Sequence, residues 1–315
     1  MSDAPTDALS RRGLLKAAIA AGIVPATHAP SWAAVRERRT PGIAAPQLAA
    51  DRGGSGPPAL FVHGFGSSKY TWRSVCAGLT DVFAYHAIDM PGAGSSPAPA
   101  NFNFALENLS DVLAQYIVSN DLKNLTIVSS SLGAAIAFIA ILRNFPSLST
   151  RVSSLCVIDG ACYPQRFPFF IDLLRWPIVA NLSDSADPPQ EMAEFLARTV
   201  LGYLFFDASR ITEEQVQEYT GYITSREHRR AIAQIARALD MAVLSRYVPL
   251  LKTIKIPTLI IWGDEDRVIP VANGRRLERD LGNAHFFAIE RCGHLPQEER
   301  PDEVIALMRR YHKPV

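Results

Sequence analysis

Net charge is almost absent from this chain of 315 residues: 32 Lys and Arg stand against 31 Asp and Glu, for a formal charge of +1. Without a basic excess or an arginine-rich stripe, nucleic acid is not an expected partner. Beyond the N-terminus no apolar run approaches the roughly 20 residues that span a bilayer, so no stable membrane span is expected in the mature chain. Cysteine is scarce, with four residues, Cys76, Cys156, Cys162 and Cys292, and none of them in a metal-type CxxC pair. Two glycine-rich turns, HGFGSS (63–68) and PGAGSS (91–96), lack the lysine of a phosphate-binding loop. Neither a metal nor any other cofactor is therefore expected. Repeats and low-complexity tracts are also missing. What remains is 48% hydrophobic and 9% aromatic, a globular composition long enough for one large core with a subsidiary domain.

The N-terminus is of a different character. SRRGLLK (10–16) precedes the mildly apolar AAIAAGIVP and then ATHAPSWAAVRERR. Two adjacent arginines before a weak Ala/Gly-rich stretch resemble a twin-arginine export signal, which carries folded proteins across the bacterial inner membrane. Ser31-Trp32-Ala33 offers small residues for cleavage, so residues 1–33 are expected to be removed and 34–57, rich in Pro, Gly, Ala and Arg, to serve as a linker. This implies a periplasmic or secreted protein with the folded-protein export machinery as a partner. A disordered basic tail, or an uncleaved anchor on a cytoplasmic or inner-membrane protein, is the alternative. An oxidising compartment permits disulfides; most of the cysteines nevertheless read as buried thiols, with a Cys156–Cys162 bridge as the competing expectation.

From residue 58 the chain alternates strand and helix patterns. Strands are expected at ALFVH (59–63), VFAYHAID (82–89), LTIVS (125–129), SLCVID (154–159), TLIIWG (258–263) and HFFAIE (285–290), because continuous apolar runs suit parallel strands covered on both faces. In LSDVLAQYI, Leu109, Val112, Leu113, Tyr116 and Ile117 form one helical face. PDEVIALMRRYH opens with proline and acids and closes on basic residues, as the helix dipole favours. The alternation predicts an α/β fold with a doubly wound, mostly parallel sheet. Residues 160–252 carry helical patterns without a convincing strand, too long a stretch for a crossover loop. They are expected to form an inserted helical cap between two parts of the core, 58–159 and 253–315.

In TIVSSSLGAAIA (126–137) three serines sit at a strand-to-helix corner, beyond the carboxyl end of a strand, where ligands bind in such sheets. A tight corner that exposes a nucleophile needs small residues two before and two after it. Ser129 would have Ile127 before it, and Ser130 would have Val128 and Leu132. Ser131 has Ser129 and Gly133 and alone fits. Such a serine needs a base oriented by a carboxylate. WGDEDRVIP (262–270) and RCGHLPQEERP (291–301) supply them after two later strands. His294 follows a strand end; His285 begins a strand and is the weaker candidate.

These segments, with HGFGSS and DMPGAGSS (89–96), resemble the α/β-hydrolase family in its order of nucleophile, acid and histidine, from about residue 58 to 312. The resemblance implies Ser131 as nucleophile, Asp266 as acid and His294 as base, with Asp264 and Glu265 as neighbours easily miscounted. Asp159 is a rival for the acid, since some relatives place it there. The oxyanion hole is expected from the backbone N–H groups of Leu132 and Phe65, with His63 bracing the turn, and Val268 and the cap helices are expected to line the pocket. The family's usual glycine two residues before the nucleophile is replaced by Ser129. The implied function is a serine hydrolase acting on a small-molecule ester or related acyl bond. A carbon–carbon bond hydrolase, a haloperoxidase-like relative and a non-catalytic binding protein are the alternatives. Serine at 131 argues against the aspartate-nucleophile relatives that open epoxides or remove halides.

Overall fold

Apolar runs that are buried on both faces become the central strands of one sheet. The computed structural model describes residues 47–144, 147–176 and 187–311; the export-signal segment 1–33 lies outside them. Seven strands are present among these residues: β1 (Ala50–Gly53), β2 (Pro58–Val62), β3 (Ala84–Ile88), β4 (Leu125–Ser130), β5 (Val152–Ile158), β6 (Thr258–Gly263) and β7 (Ala284–Ile289). Their order is β1-β3-β2-β4-β5-β6-β7, with every neighbouring pair parallel except β1 and β3. Each of the six expected strands is found. VFAYHAID is trimmed at its start, where the N–H groups of Val82 and Phe83 both turn back to Leu79 O.

β1 corrects the reading of 34–57 as a linker throughout. ADRG has no apolar alternation, and Asp51 and Arg52 are exposed. It is a strand only because its backbone pairs with β3 at the sheet edge, from Ala50 opposite Ile88 to Gly53 opposite Tyr85. Polar edge strands of this kind carry little local signal.

The helices are α1 (Arg73–Ala77), α2 (Leu106–Ser119), α3 (Leu132–Arg143), α4 (Phe169–Arg175), α5 (Gln190–Leu204), α6 (Glu213–Thr224), α7 (Arg226–Ala238), α8 (Met241–Tyr247), α9 (Ala272–Leu281), α10 (Pro296–Glu299) and α11 (Pro301–Tyr311). On α2 the expected face of Leu109, Val112, Leu113, Tyr116 and Ile117 is buried, each large apolar side chain contributing about 1.5–3 kcal/mol. α3 is apolar all round and buried from Leu132 to Leu142, because it packs between the sheet and α2. On the other face, Phe61, Trp72, Val75, Val128, Cys156, Ile261, Val304 and Met308 share one cluster.

Helices α4 to α7 lie in the chain between β5 and β6, within the stretch read as a cap. The expected 160–252 stretch is longer than that layer: α8 packs against α3, and the 3-10 turn Val248–Thr253 packs against α9, both core helices. Asp240 accepts the N–H of Ala242 at 2.8 Å and starts α8 separately from α7. All four cysteines are buried free thiols, which removes the Cys156–Cys162 bridge. Burial pushes each of them well above the ordinary thiol range. No helix among the described residues is long and apolar enough to cross a membrane.

Candidate active site

The parallel register sets Ser129 of β4 beside Val62 of β2, Ser130 beside Ile158 of β5, and Ile158 beside Ile261 of β6. The segments that follow these strands therefore emerge at one level. Ser131 stands between β4 and α3 with φ 49° and ψ −121°, a strained backbone costing about 1–3 kcal/mol. Two glycines allow this close corner. A Cβ on Gly133 would lie 2.5 Å from Val62 O and 2.6 Å from His63 O. One on Gly64 would lie 2.9 Å from the Ser131 Cβ. Ser129 sits within β4 and is buried, and the corner forms with serine at this place.

Asp266 follows β6. Its Oδ1 accepts the N–H groups of Val268 at 2.7 Å and Ile269 at 3.0 Å, so the carboxylate is held by its own turn. Its Oδ2 lies 2.8 Å from His294 Nδ1. The carboxylate accepts, so Nδ1 carries the hydrogen and Nε2 is left as an acceptor. Ser131 Oγ lies 3.0 Å from that Nε2. The side chain of Asp266 is fully buried and that of His294 nearly so, whereas Ser131 is partly open. The structure thus brings Ser131, His294 and Asp266 into one hydrogen-bonded chain. Asp264 instead accepts from Cys292 N, Glu265 is exposed, and His285 is exposed within β7 against the Tyr311 ring.

Asp159 directly follows β5 and is fully buried with φ 46°. Its Oδ1 accepts the N–H of Gly263 at 3.0 Å, and it makes no contact with His294 that would replace Asp266 as the partner of Nδ1. Burial first, and then the neighbouring Asp266 carboxylate, push the Asp159 carboxyl well above the usual carboxylate range. Ligand atoms of Asp159, Asp266 and His294 lie within 4.8 Å of one another. Both Asp266 oxygens and His294 Nδ1 already hold hydrogen-bond partners, which is poor chemistry for a cation site.

Phe65 and Leu132 both face one apolar cavity of about 30 Å³. Leu132 opens α3, so its N–H has no carbonyl partner within the helix. The Phe65 turn is braced as expected. His63 Nδ1–H donates to Gly64 O at 2.8 Å, and its Nε2 accepts from Met90 N at 3.0 Å. Burial lowers the His63 pKa below the ordinary histidine value, which keeps Nε2 an acceptor. The cavity is further lined by Ile136 of α3, Tyr222 of α6, and His228, Ile232 and Ile235 of α7. Residues from the expected cap stretch thus line this cavity. Val268 does not line this cavity; its N–H holds Asp266.

Several supporting residues escape sequence reasoning. Asp89, fully buried, accepts from Lys69 N at 2.7 Å, Lys69 Nζ at 2.9 Å and Ser95 N at 2.8 Å, tying the β2 and β3 loops together. Glu299 accepts the N–H groups of Gly293 at 2.8 Å, Phe206 at 3.1 Å and Asp207 at 2.8 Å. His294 N donates to Leu204 O at 2.7 Å. The histidine loop is thereby fastened to the end of α5 in the cap. Glu298 accepts from Thr71, Tyr219 and Gln215 at 2.7, 2.6 and 3.1 Å. In the sequence these two acids precede the expected helix PDEVIALMRRYH and carry no signal of burial.

The sequence matches the alpha/beta hydrolase family over residues 59–307. The chain belongs to that family. It is similar to the uncharacterized hydrolase YugF of Bacillus subtilis, 29% identical over 76% of this chain and 84% of the relative. It is also similar to the human monoacylglycerol lipase ABHD6, 26% identical over 82% of this chain and 75% of that protein. Among solved structures it resembles a thermophilic esterase from Thermogutta terrifontis at TM-score 0.69 and 25% identity, covering 84% of this chain and 92% of the esterase. As in other alpha/beta hydrolases, the mostly parallel sheet presents its site at the carboxyl ends of the strands, and the likeness to these proteins supports hydrolase activity.

Proposed function

We propose that this protein is a serine hydrolase that cleaves an ester or related acyl bond through an acyl-enzyme. The observation that carries this reading is the hydrogen-bonded chain from Asp266 Oδ2 through His294 to Ser131 Oγ, with distances of 2.8 and 3.0 Å. His294 Nε2 takes the Ser131 proton as Oγ attacks the carbonyl carbon, and Asp266 holds the ring and balances the imidazolium. The carbonyl oxygen gains charge and is met by the N–H groups of Leu132 and Phe65, each such donor worth about 2.7–4 kcal/mol. His294 then protonates the departing alcohol. A water, deprotonated by the same nitrogen, attacks the acyl-enzyme and restores Ser131. The similarity to a monoacylglycerol lipase and to an esterase supports an ester as the substrate.

The cavity of about 30 Å³ has space for roughly two water-sized groups. This favours esters that place a short apolar group beside the oxyanion hole. Turnover of p-nitrophenyl acetate or butyrate by the wild type, and its loss by about 10⁴–10⁶ in kcat in Ser131→Ala, is the expected result. Unchanged turnover in the variant overturns the proposal.

A further inference from the structure

Asp159 is a buried acid that the Ser131–His294–Asp266 chain does not use. One of its oxygens is satisfied by Gly263 N at 3.0 Å. The other, Oδ2, is buried and meets no N–H or O–H donor among the described residues. The side chains that share its surroundings are the Asp266 carboxylate and the His294 imidazole, each with an atom within 4.8 Å. The charged groups that reach it are Asp266 from the loop after β6 and Glu299 from α10, both acidic. The Cys292 thiol approaches from the loop after β7. Two ionised carboxylates so placed, without a cation between them, repel each other, and one keeps its proton.

The count of donors decides which one. Asp266 receives Val268 N, Ile269 N and His294 Nδ1–H, so its charge is stabilised three times over. Asp159 receives only Gly263 N. The proton therefore belongs on Asp159 Oδ2, which turns an oxygen that lacks a donor into a donor itself. Asp159 has a left-handed backbone, φ 46°, and one of its carboxyl oxygens lies within 4.8 Å of an Asp266 oxygen.

We propose that Asp159 is a neutral acid that donates its O–H to the Asp266 carboxylate and acts, through Asp266, as a positioning residue for His294. No proton changes hands in this role. The extra donor fixes the rotation of the Asp266 carboxylate, so that Oδ2 stays aimed at His294 Nδ1 while the ring exchanges protons with Ser131 and substrate.

The kinetic part of this proposal rests on the proposed function; the spectroscopic part does not. An infrared difference spectrum at pH 7 between wild type and Asp159→Asn is expected to show loss of a protonated-carboxyl C=O band. Loss of carboxylate bands instead overturns the proposal. Asp159→Leu, which cannot donate, is expected to lower kcat on p-nitrophenyl acetate at least tenfold with KM little changed, and Asp159→Asn to recover it to within about threefold. An equal loss in both variants also overturns it. If the leucine variant fails to fold by circular dichroism, the infrared comparison still decides. Fluorophosphonate labelling of wild-type Ser131 separates the two claims: an unlabelled serine defeats the proposed function and leaves the infrared result standing.

Discussion

At the scale of single residues, the site is defined by which hydrogen-bonding groups have partners and which do not. Asp266 is held by two backbone N–H groups and the histidine, whereas Asp159 is buried with one donor. This difference has a consequence for stability. The ordinary aspartate value is 3.8, and burial with the adjacent Asp266 raises that of Asp159 well above it in the folded protein. Between those two values the folded protein keeps a proton that the unfolded chain has released. Stability attributable to this group therefore falls as pH rises through that window. Asp159→Asn removes the dependence. Urea unfolding is expected to show the stability of the variant relative to wild type increasing from pH 3.5 to pH 7. An equal difference at both pH values contradicts the assignment. Ser131 was singled out in the sequence by the size of its neighbours alone, and the same steric logic explains Gly133, whose Cβ would strike the end of β2. Glu298 and Glu299 were illegible, because nothing local distinguishes a buried acid that collects N–H groups from a solvated one.

At the scale of elements, the cap reaches the site in two ways. Helix α7 lends Ile232 and Ile235 to the cavity wall, and the end of α5 is bonded to the histidine loop through Leu204 O and Glu299. Under the proposed function the first contact is expected to set substrate size. Ile232→Ala enlarges the cavity, and the ratio of kcat/KM for p-nitrophenyl hexanoate over acetate is expected to rise about tenfold, the worth of one or two methylenes in an apolar pocket. An unaltered ratio places the acyl group elsewhere. The central strands and α2 could be read from local pattern, since continuous apolar runs and i, i+3, i+4 spacing are properties of short windows. β1 could not, because its four residues become a strand only by pairing with β3.

At the scale of the whole molecule, the described fold keeps all four thiols free and buried, so it needs no disulfide to be complete, which suits a protein exported already folded. We propose such export from the Arg11-Arg12 pair in SRRGLLK. Replacing both arginines by lysine is expected to leave the protein in the cytoplasmic fraction, while the wild type reaches the periplasm or medium; the same distribution for both refutes it. The order of nucleophile, acid and histidine is what the family resemblance implies; the sequence by itself determined the alternating strands and helices, the long helical stretch after residue 159 and the one serine of three with small neighbours. These follow from side-chain size and hydrophobic period over a few residues. Only the tertiary structure decided that Asp266 rather than Asp159 holds His294, that Asp159 stands behind it, that Asp89 and Glu299 brace the loops, and that α8 belongs with the core. The placing of Ser131, Asp159 and Asp266 depends on the parallel register that brings the ends of β4, β5 and β6 to one level. Hydrogen bonds between residues far apart in the chain, such as Glu299 with Asp207 or His294 with Ser131, leave no trace in a local pattern.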